Sequence, residues 1–225
     1  MSKMLAGELP YAIAALLAAP FMAVVAAFVL SLSKRPLAAG WIFIGGAAAL
    51  DLVFGFAIYS LFAYSGILGT GDIGGIVVDM LLGLIFLLLG IKALFTRESP
   101  EKAQSRRKRI QKMASGGLGA IFVLGVLGQI VNSDALAIFA GGMKQIAITK
   151  VAFWEAAVGI LIFIVIMLGF YYLPVVLYTV APKSSMKMLT PFNEWIMRHA
   201  KVVEVVTCLV FGVLFLFKCI QTIVK

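Results

Sequence analysis

Charged side chains are scarce in this sequence. Only 13% of its 225 residues are Asp, Glu, Lys or Arg, and 63% are hydrophobic, well above the roughly 45–50% of a soluble domain. This shortage of charge excludes an ordinary soluble fold and predicts an integral membrane protein. Spans of about 20 residues with short connectors fit this length about six times.

Cysteine and histidine are nearly absent as well. Cys208 and Cys219 stand eleven residues apart in one apolar run, so a helix would separate them by about 16 Å, beyond disulfide reach. His199, the one histidine, has no metal ligand at suitable spacing. GxSxG, HExxH, P-loop and CxxC motifs do not occur. We therefore expect no enzyme, no ATP-driven pump, no metal site and no cofactor.

The net charge of +9 indicates topology and not nucleic-acid binding. The basic residues are concentrated between apolar runs, at 33–36, 96–115 and 181–201. These three segments fall on one side of a six-span topology, and basic loops of this kind lie in the cytoplasm. The sequence thus predicts a multi-pass protein of a prokaryotic plasma membrane with both termini outside.

The predicted spans form two groups of three around the basic segment. Residues 1–95 make the first three-helix repeat, 96–115 a basic cytoplasmic linker, and 116–225 the second repeat with an interfacial amphipathic helix at 191–200. Three spans per group give the two repeats opposite orientations. The expected spans are 10–32, 39–64, 75–95, 116–147, 151–180 and 202–224.

Two spans are expected to be broken. Asn132, Ser133 and Asp134 interrupt an apolar run of some 32 residues, which as one straight helix would be roughly 48 Å long, more than a ~30 Å hydrocarbon core. Pro20 lies in the middle of the first span and removes a backbone hydrogen bond there. Inverted repeats with a broken helix in each half are typical of secondary transporters with a site near mid-bilayer.

Polar residues within the spans are the candidate substrate site, because polar groups at bilayer depth face protein or a water-filled cavity. Asp51, near the centre of the second span, is a candidate for proton coupling; alternatively, it is a hydrogen-bonded carboxyl that holds helices together. Asn132 and Asp134 have the alternative role of capping half-helices. The predicted substrate-binding residues are Pro20, Asp51, Gln129, Asn132, Ser133 and Asp134.

Charged residues near the span ends have two predicted roles. Lys34, Arg35, Arg106 and Arg107 are candidates for recruiting an anionic headgroup at the inner leaflet. Asp79, Lys150 and Glu155 are placed at the outer mouth, where, with Lys144, they are expected to form interfacial salt bridges. Tyr171, Tyr172 and Tyr178 are interpreted as an aromatic belt at the inner interface.

Several short motifs resemble the Sap/GAP family of sulfolipid- and peptidoglycolipid-addressing proteins in the lysine-exporter superfamily. Ala19-Pro20, the turn Ser33-Lys34-Arg35-Pro36 and Gly45-Gly46 match its first two helices. Residues 181–185 and 194–203 resemble its last interhelical segment. Asn132-Ser133-Asp134 stands where the family tends to have Asn-Pro-Lys-Asn, so Ser133 replaces a proline and Asp134 a basic residue.

The resemblance implies six helices, self-association as a homodimer, and export of a small or lipidic molecule. We therefore expect a secondary transporter that moves an amphiphilic or lipid-linked molecule outward from the cytoplasmic side, with membrane lipids as partners and a proton carried by Asp51 or Asp134. One alternative is an amino-acid or metal-cation exporter of the lysine-exporter type. Another is a non-transporting scaffold for lipid synthesis or export machinery.

Overall fold

The protein is described by a computed structural model, which covers residues 1–64, 73–95 and 100–182 and, beyond them, residues 184, 187, 191, 195, 199, 202, 205, 206, 208–217, 219 and 220. Within these residues every regular element is an α-helix. The expectation of an all-α protein is therefore confirmed.

Ten helices are described, and most are continuous apolar segments. They are α1 (Ser2–Ala18), α2 (Phe21–Leu32), α3 (Pro36–Tyr64), α4 (Ile73–Phe95), α5 (Pro100–Ala114), α6 (Leu118–Val131), α7 (Ser133–Ile148), α8 (Phe153–Met167), α9 (Gly169–Val180) and α10 (Cys208–Phe217).

The described helices contain one straight segment long and apolar enough to cross a membrane, namely α3 with 29 residues. Up to four spans result if each sharply bent pair of helices counts as one. Six spans in two inverted repeats therefore remain a prediction, as do the repeat boundaries. The interfacial helix expected at 191–200 lies outside the described residues except at 191, 195 and 199, which are helical.

Both expected interruptions are present. The chain bends by 57° between α1 and α2, where Pro20 is the N-cap of α2. It bends by 77° between α6 and α7, around Asn132. Each break has a local cause that the sequence shows. At the first break it is the ring of Pro20, which leaves no backbone N–H to donate, and at the second it is the polar tripeptide at 132–134.

Two features differ from the sequence expectation. The fifth span is bent as well, by 63° between α8 and α9, at Leu168-Gly169 and not at Pro174, which lies inside α9. The basic segment expected to be a linker loop is helical over Pro100–Ala114. This helix packs against α2 and α6, which supplies tertiary contacts that a pattern of polar residues does not reveal.

The core is built by α1 against α7 and by α3 against α6. Glycine makes the second contact very close. A Cβ built on Gly46 of α3 would lie less than 3.0 Å from the carbonyl oxygen of Phe122, and one on Gly125 of α6 would do the same to the carbonyl oxygen of Phe43. Small residues at such crossings let helix backbones approach and gain dispersion contacts in a membrane.

A similar reciprocal contact joins α4 to α10. The Cβ position of Gly83 is 2.9 Å from Leu216, and that of Gly212 is 2.8 Å from Leu87. Between them the rings of Phe86 and Phe215 stack with centroids 5.8 Å apart and planes 5° apart.

The α3–α6 crossing makes a direct prediction for alanine substitution. Gly125→Ala places a methyl group against the Phe43 carbonyl, and overpacking of this kind costs roughly 1–3 kcal/mol. We expect a lower unfolding temperature in mild detergent, measured by thermal-shift fluorescence. Gly119→Ala is the control on the same helix, since no atom lies within 4 Å of its Cβ position. Equal unfolding temperatures for the two variants would contradict the close crossing.

Candidate functional site

A chain of buried polar side chains joins three helices beside the α3–α6 crossing. Gln129 Nε2 of α6 donates a hydrogen bond of 2.6 Å to Asp51 Oδ2 of α3. The Tyr171 hydroxyl of α9 donates one of 2.6 Å to Gln129 Oε1. All three residues are at most 1% exposed. The amide of Gln129 therefore links a phenol and a carboxyl by using its donor and its acceptor at once.

The helix crossing positions this chain. Asp51 follows Gly46 by five residues and Gln129 follows Gly125 by four, so at ~1.5 Å per residue both lie about 6–8 Å along their helices from the crossing. The Tyr171 ring stacks on Phe43 with centroids 5.3 Å apart, which fixes its hydroxyl near Gln129.

Asp51 and Gln129, two of the predicted substrate-binding residues, are thus brought together. The other carboxylate oxygen, Asp51 Oδ1, is buried and has no hydrogen-bond partner among the described residues. Tyr171 was expected in an interfacial aromatic belt, and this is wrong because it is completely buried. Its neighbours Phe170, Tyr172 and Leu173 are apolar or aromatic too, so only the bend at Leu168 shows which of them turns inward.

At the second break the backbone of Asn132 joins the two half-helices. Its N–H donates to the carbonyls of Gly128 and Gln129, and its carbonyl accepts from Leu136 N–H. Its side chain makes no capping hydrogen bond, and its amide nitrogen is buried with no partner among the described residues. Asn132 therefore leaves a hydrogen-bond donor at the break instead of capping α7 with its side chain.

An apolar cavity of about 290 Å³ lies between α2, α5 and α6. A dry cavity of about 150 Å³ holds a benzene molecule, so this one has room for a segment of an acyl chain. Both helix breaks adjoin it, because Phe21 directly follows Pro20 and Val131 directly precedes Asn132. Its lining residues are Phe21, Met22, Val25, Arg109, Ile110, Met113, Leu124, Leu127, Gly128 and Val131.

Among the described residues that line the cavity, Arg109 of α5 is the one with a charge. It is exposed, and so is Val131, by 69%, so the cavity reaches the surface of the described bundle. A wall residue, Gly128, also approaches the polar chain: its Cβ position is 3.3 Å from Met22 Sδ and 3.9 Å from the Tyr171 hydroxyl. An apolar space and a buried polar chain therefore share one wall.

The remaining predicted site residues are dispersed. Pro20 is half-buried at the first bend. Lys34 and Arg35 are exposed in the turn before α3, where Arg35 N–H donates to Ser33 Oγ. Asp79, Arg106, Arg107, Ser133 and Asp134 lie on helices, but their side chains are outside the part of the chain that the structure describes.

Two of the three residues expected at the outer mouth, Lys150 and Glu155, lie near the α7–α8 turn. Lys150 is exposed there and has a left-handed backbone with φ 48°. Glu155 lies in the first turn of α8, where Oε2 accepts a hydrogen bond of 3.3 Å from Ala152 N–H. Lys144, which was expected to share interfacial salt bridges with them, is instead buried in α7 and 2% exposed.

Sequence reasoning missed two further polar residues. Glu8 of α1 is completely buried but precedes the predicted first span, so it was not counted as a membrane residue. Arg109 belongs to a run of four basic residues, and only the packing of α5 distinguishes it from its neighbours. Among the residues that the structure describes, no group of three or more His, Cys, Asp or Glu side chains is placed to hold a metal ion.

These features define an all-helical, membrane-associated protein with an apolar cavity between interrupted helices. The chain belongs to the family described as Sap, sulfolipid-1-addressing protein, whose sequence profile matches residues 9–221. The predicted family membership is therefore confirmed. Comparison with curated proteins and with solved structures gives no match.

The hydrogen bonds that join Asp51, Gln129 and Tyr171 predict that Gln129→Leu destabilises the protein more than Tyr171→Phe does. Gln129→Leu leaves Asp51 Oδ2 and the Tyr171 hydroxyl without partners, and each orphaned buried group costs about 1–3 kcal/mol. Tyr171→Phe keeps the ring on Phe43 and removes one bond, so its loss is about 1 kcal/mol.

Thermal unfolding in detergent measures both. Tyr178→Phe is the control, since it removes the hydroxyl of a half-buried tyrosine on the same helix that is not part of the Asp51–Gln129–Tyr171 hydrogen bonds. If Gln129→Leu unfolds at the same temperature as this control, the hydrogen-bonded chain does not stabilise the fold.

Proposed function

We propose that this protein is a secondary exporter that moves an amphiphilic, lipid-linked small molecule from the cytoplasmic leaflet outward. The observation that carries the proposal is the apolar cavity between α2, α5 and α6, with Arg109 in its lining and both helix breaks beside it. The family's name, which associates it with addressing of a sulfolipid, supports a substrate with an acyl part and an anionic headgroup.

The cavity suits the two parts of such a molecule. Apolar residues of α2 and α6 surround the space where an acyl segment is buried, which gains roughly 0.8 kcal/mol for each methylene removed from water. The Arg109 guanidinium binds a sulfate, phosphate or carboxylate through two parallel hydrogen bonds. Lys34 and Arg35, both exposed, raise the local concentration of anionic headgroups at the inner leaflet.

The breaks supply polar contacts where the cavity ends. Asn132 offers an amide donor that has no partner among the described residues, and the adjacent half-helix ends present backbone groups that polar substrates use in transporters with broken helices. Asp51 lies behind the wall at Gly128, linked through Gln129 and Tyr171. A polar substrate group that displaces Tyr171 from Gln129 therefore changes the hydrogen bonding of Asp51.

An inverted-repeat architecture of six spans is part of the proposal. Its support is the reciprocal α4–α10 contact, in which Gly83 meets Leu216 and Gly212 meets Leu87. These positions differ by 129 residues in both cases (212 − 83 and 216 − 87), as do the stacked Phe86 and Phe215. A pseudo-two-fold axis between the halves explains such pairing. The bend between α8 and α9, absent from the straight α3, is a departure from that symmetry.

Substitutions in the cavity test the proposal with a defined probe. Gly128→Leu puts a side chain against Met22 in the cavity wall. We expect it to weaken binding of a fluorescent NBD-labelled phosphatidylglycerol to the purified protein at least tenfold. Gly119→Leu, on the same helix with an open Cβ position, is the control. Native mass spectrometry of the mild-detergent extract then identifies which lipid co-purifies with the wild type.

The headgroup contact has its own test. Arg109→Ala removes a charge-assisted hydrogen bond worth about 1.5–3 kcal/mol, so binding of the anionic lipid weakens about 10- to 100-fold. The neutral NBD-phosphatidylcholine is expected to show no such change, and Lys108→Ala is the exposed neighbour used as control. Equal affinity of the wild type for both lipids refutes the headgroup role. Stabilisation by amino acids or divalent cations instead favours the lysine-exporter alternative, and no ligand of any kind favours the scaffold.

The proposed orientation is tested by cysteine labelling of intact cells. A membrane-impermeant maleimide is expected to label Ala152→Cys, at the exposed turn before α8, and to leave Lys108→Cys in α5 unlabelled until the cells are opened. Cys208 and Cys219 are buried, so the wild type serves as the background. The reverse labelling pattern would show that the topology and the direction of export are opposite to those proposed.

A further inference from the structure

Glu8 is a buried acid outside the Asp51–Gln129–Tyr171 chain. It lies in the second turn of α1, and its side chain is completely inaccessible to solvent. Neither carboxylate oxygen has a hydrogen-bond partner among the residues that the structure describes. Its position and its lack of partners give the residue no structural task comparable to that of Asp51.

Where Glu8 meets α8, its neighbours are apolar. It faces α8 at Gly159, where a built Cβ would lie 3.0 Å from Glu8 Oε2 and 2.8 Å from the methyl carbon of Met4. The absent side chain at Gly159 is therefore what leaves room for the carboxyl group.

The two helices that pack most extensively against α1, α7 and α8, carry three charged residues. On α8 the carboxyl of Glu155 accepts from Ala152 N–H and is 3.8 Å from the Met1 amino group. On α7 they are the buried Lys144 and Asp134. A hydrogen bond of 3.4 Å from Gln145 Nε2 to the Tyr11 hydroxyl also joins α7 to α1. None of the described members of this set is a hydrogen-bond partner of Glu8.

These surroundings determine which cation Glu8 can bind. A carboxylate buried without a counter-ion or donors is strongly disfavoured, whereas the neutral acid is tolerated. A hard metal cation requires several further oxygen ligands, and among the described residues no group of three His, Cys, Asp or Glu side chains is placed to hold one. A proton is the one cation that the site accommodates without additional ligands.

We propose that Glu8 is a proton-binding site that loads and releases one proton as the helices around it move. Both contacting elements belong to interrupted pairs, α1 with its 57° bend to α2 and α8 with its 63° bend to α9. Separation of α1 from α8 would open Glu8 to water, where the proton leaves a carboxyl oxygen; repacking against Gly159 requires its return. The coupling of this cycle to export rests on the proposed function.

Asp51 suits the proton-coupling role less well. One of its oxygens is held by Gln129 at 2.6 Å, so its carboxyl is already part of the chain that joins α3, α6 and α9. Neither carboxylate oxygen of Glu8 has a hydrogen-bond partner among the described residues. Coupling through Glu8 thus requires no rupture of that chain.

Infrared spectroscopy of the purified full-length protein tests the site directly. Exposed carboxyls are ionised at about pH 7, so a protonated-carboxyl C=O band at that pH reports a buried acid. We expect the wild type to show a component of this band that Glu8→Gln loses and that Asp51→Asn, at the other fully buried acid of the described bundle, keeps. Glu155→Gln, at an acid with hydrogen-bond and charge partners, is expected to keep it. Gln is isosteric with the neutral acid, so Glu8→Gln is expected to fold. A wild-type spectrum that Glu8→Gln does not change overturns the proposal.

Transport in proteoliposomes separates the two proposals. With NBD-phosphatidylglycerol as probe, an imposed pH gradient is expected to change the wild-type rate severalfold and to have no effect on Glu8→Gln. Wild-type rates that ignore the gradient overturn the coupling. If the infrared band is lost in Glu8→Gln but no lipid crosses in the wild type, the proton site stands and the exporter proposal fails.

Discussion

The close crossing of α3 and α6 is the contact on which the rest of the described structure depends. Gly46 and Gly125 let each helix approach a carbonyl oxygen of the other, and a membrane offers no hydrophobic force that would hold helices together at a greater distance. The crossing fixes Asp51 opposite Gln129. It also orients α6 so that one side packs on α3 and another lines the cavity.

The helix breaks create the apolar cavity beside that crossing. A continuous α1–α2 or α6–α7 helix would satisfy its backbone internally and pack along its full length. The bends of 57° and 77° turn the chain away at Pro20 and Asn132, and α5 closes the remaining side. Apolar volume, an arginine and an amide donor without a partner among the described residues therefore meet in one place, which is the basis of the proposed substrate with an acyl part and an anionic part.

The buried acids Asp51 and Glu8 differ in their hydrogen-bond partners. Asp51 is joined to two other helices by hydrogen bonds, which suits an architectural or signal-relaying role. Glu8 lies beside Met4 and Gly159 and has no hydrogen-bond partner among the described residues, which suits a group that exchanges a proton. The distinction rests on partners, since both side chains are 0% exposed.

The sequence by itself determined the membrane class, the helical fold, the family and the two breaks at Pro20 and Asn132, because composition, a missing backbone donor and a polar tripeptide act locally. It also singled out Asp51 and Gln129 as polar residues at bilayer depth. Only the tertiary structure decided that these two meet, that Tyr171 turns inward, that Glu8 and Lys144 are buried, that 100–114 forms a helix, and that Arg109 lines a cavity. Those facts depend on which faces of distant helices come together, and helical periodicity in a uniformly apolar chain does not encode the facing partner.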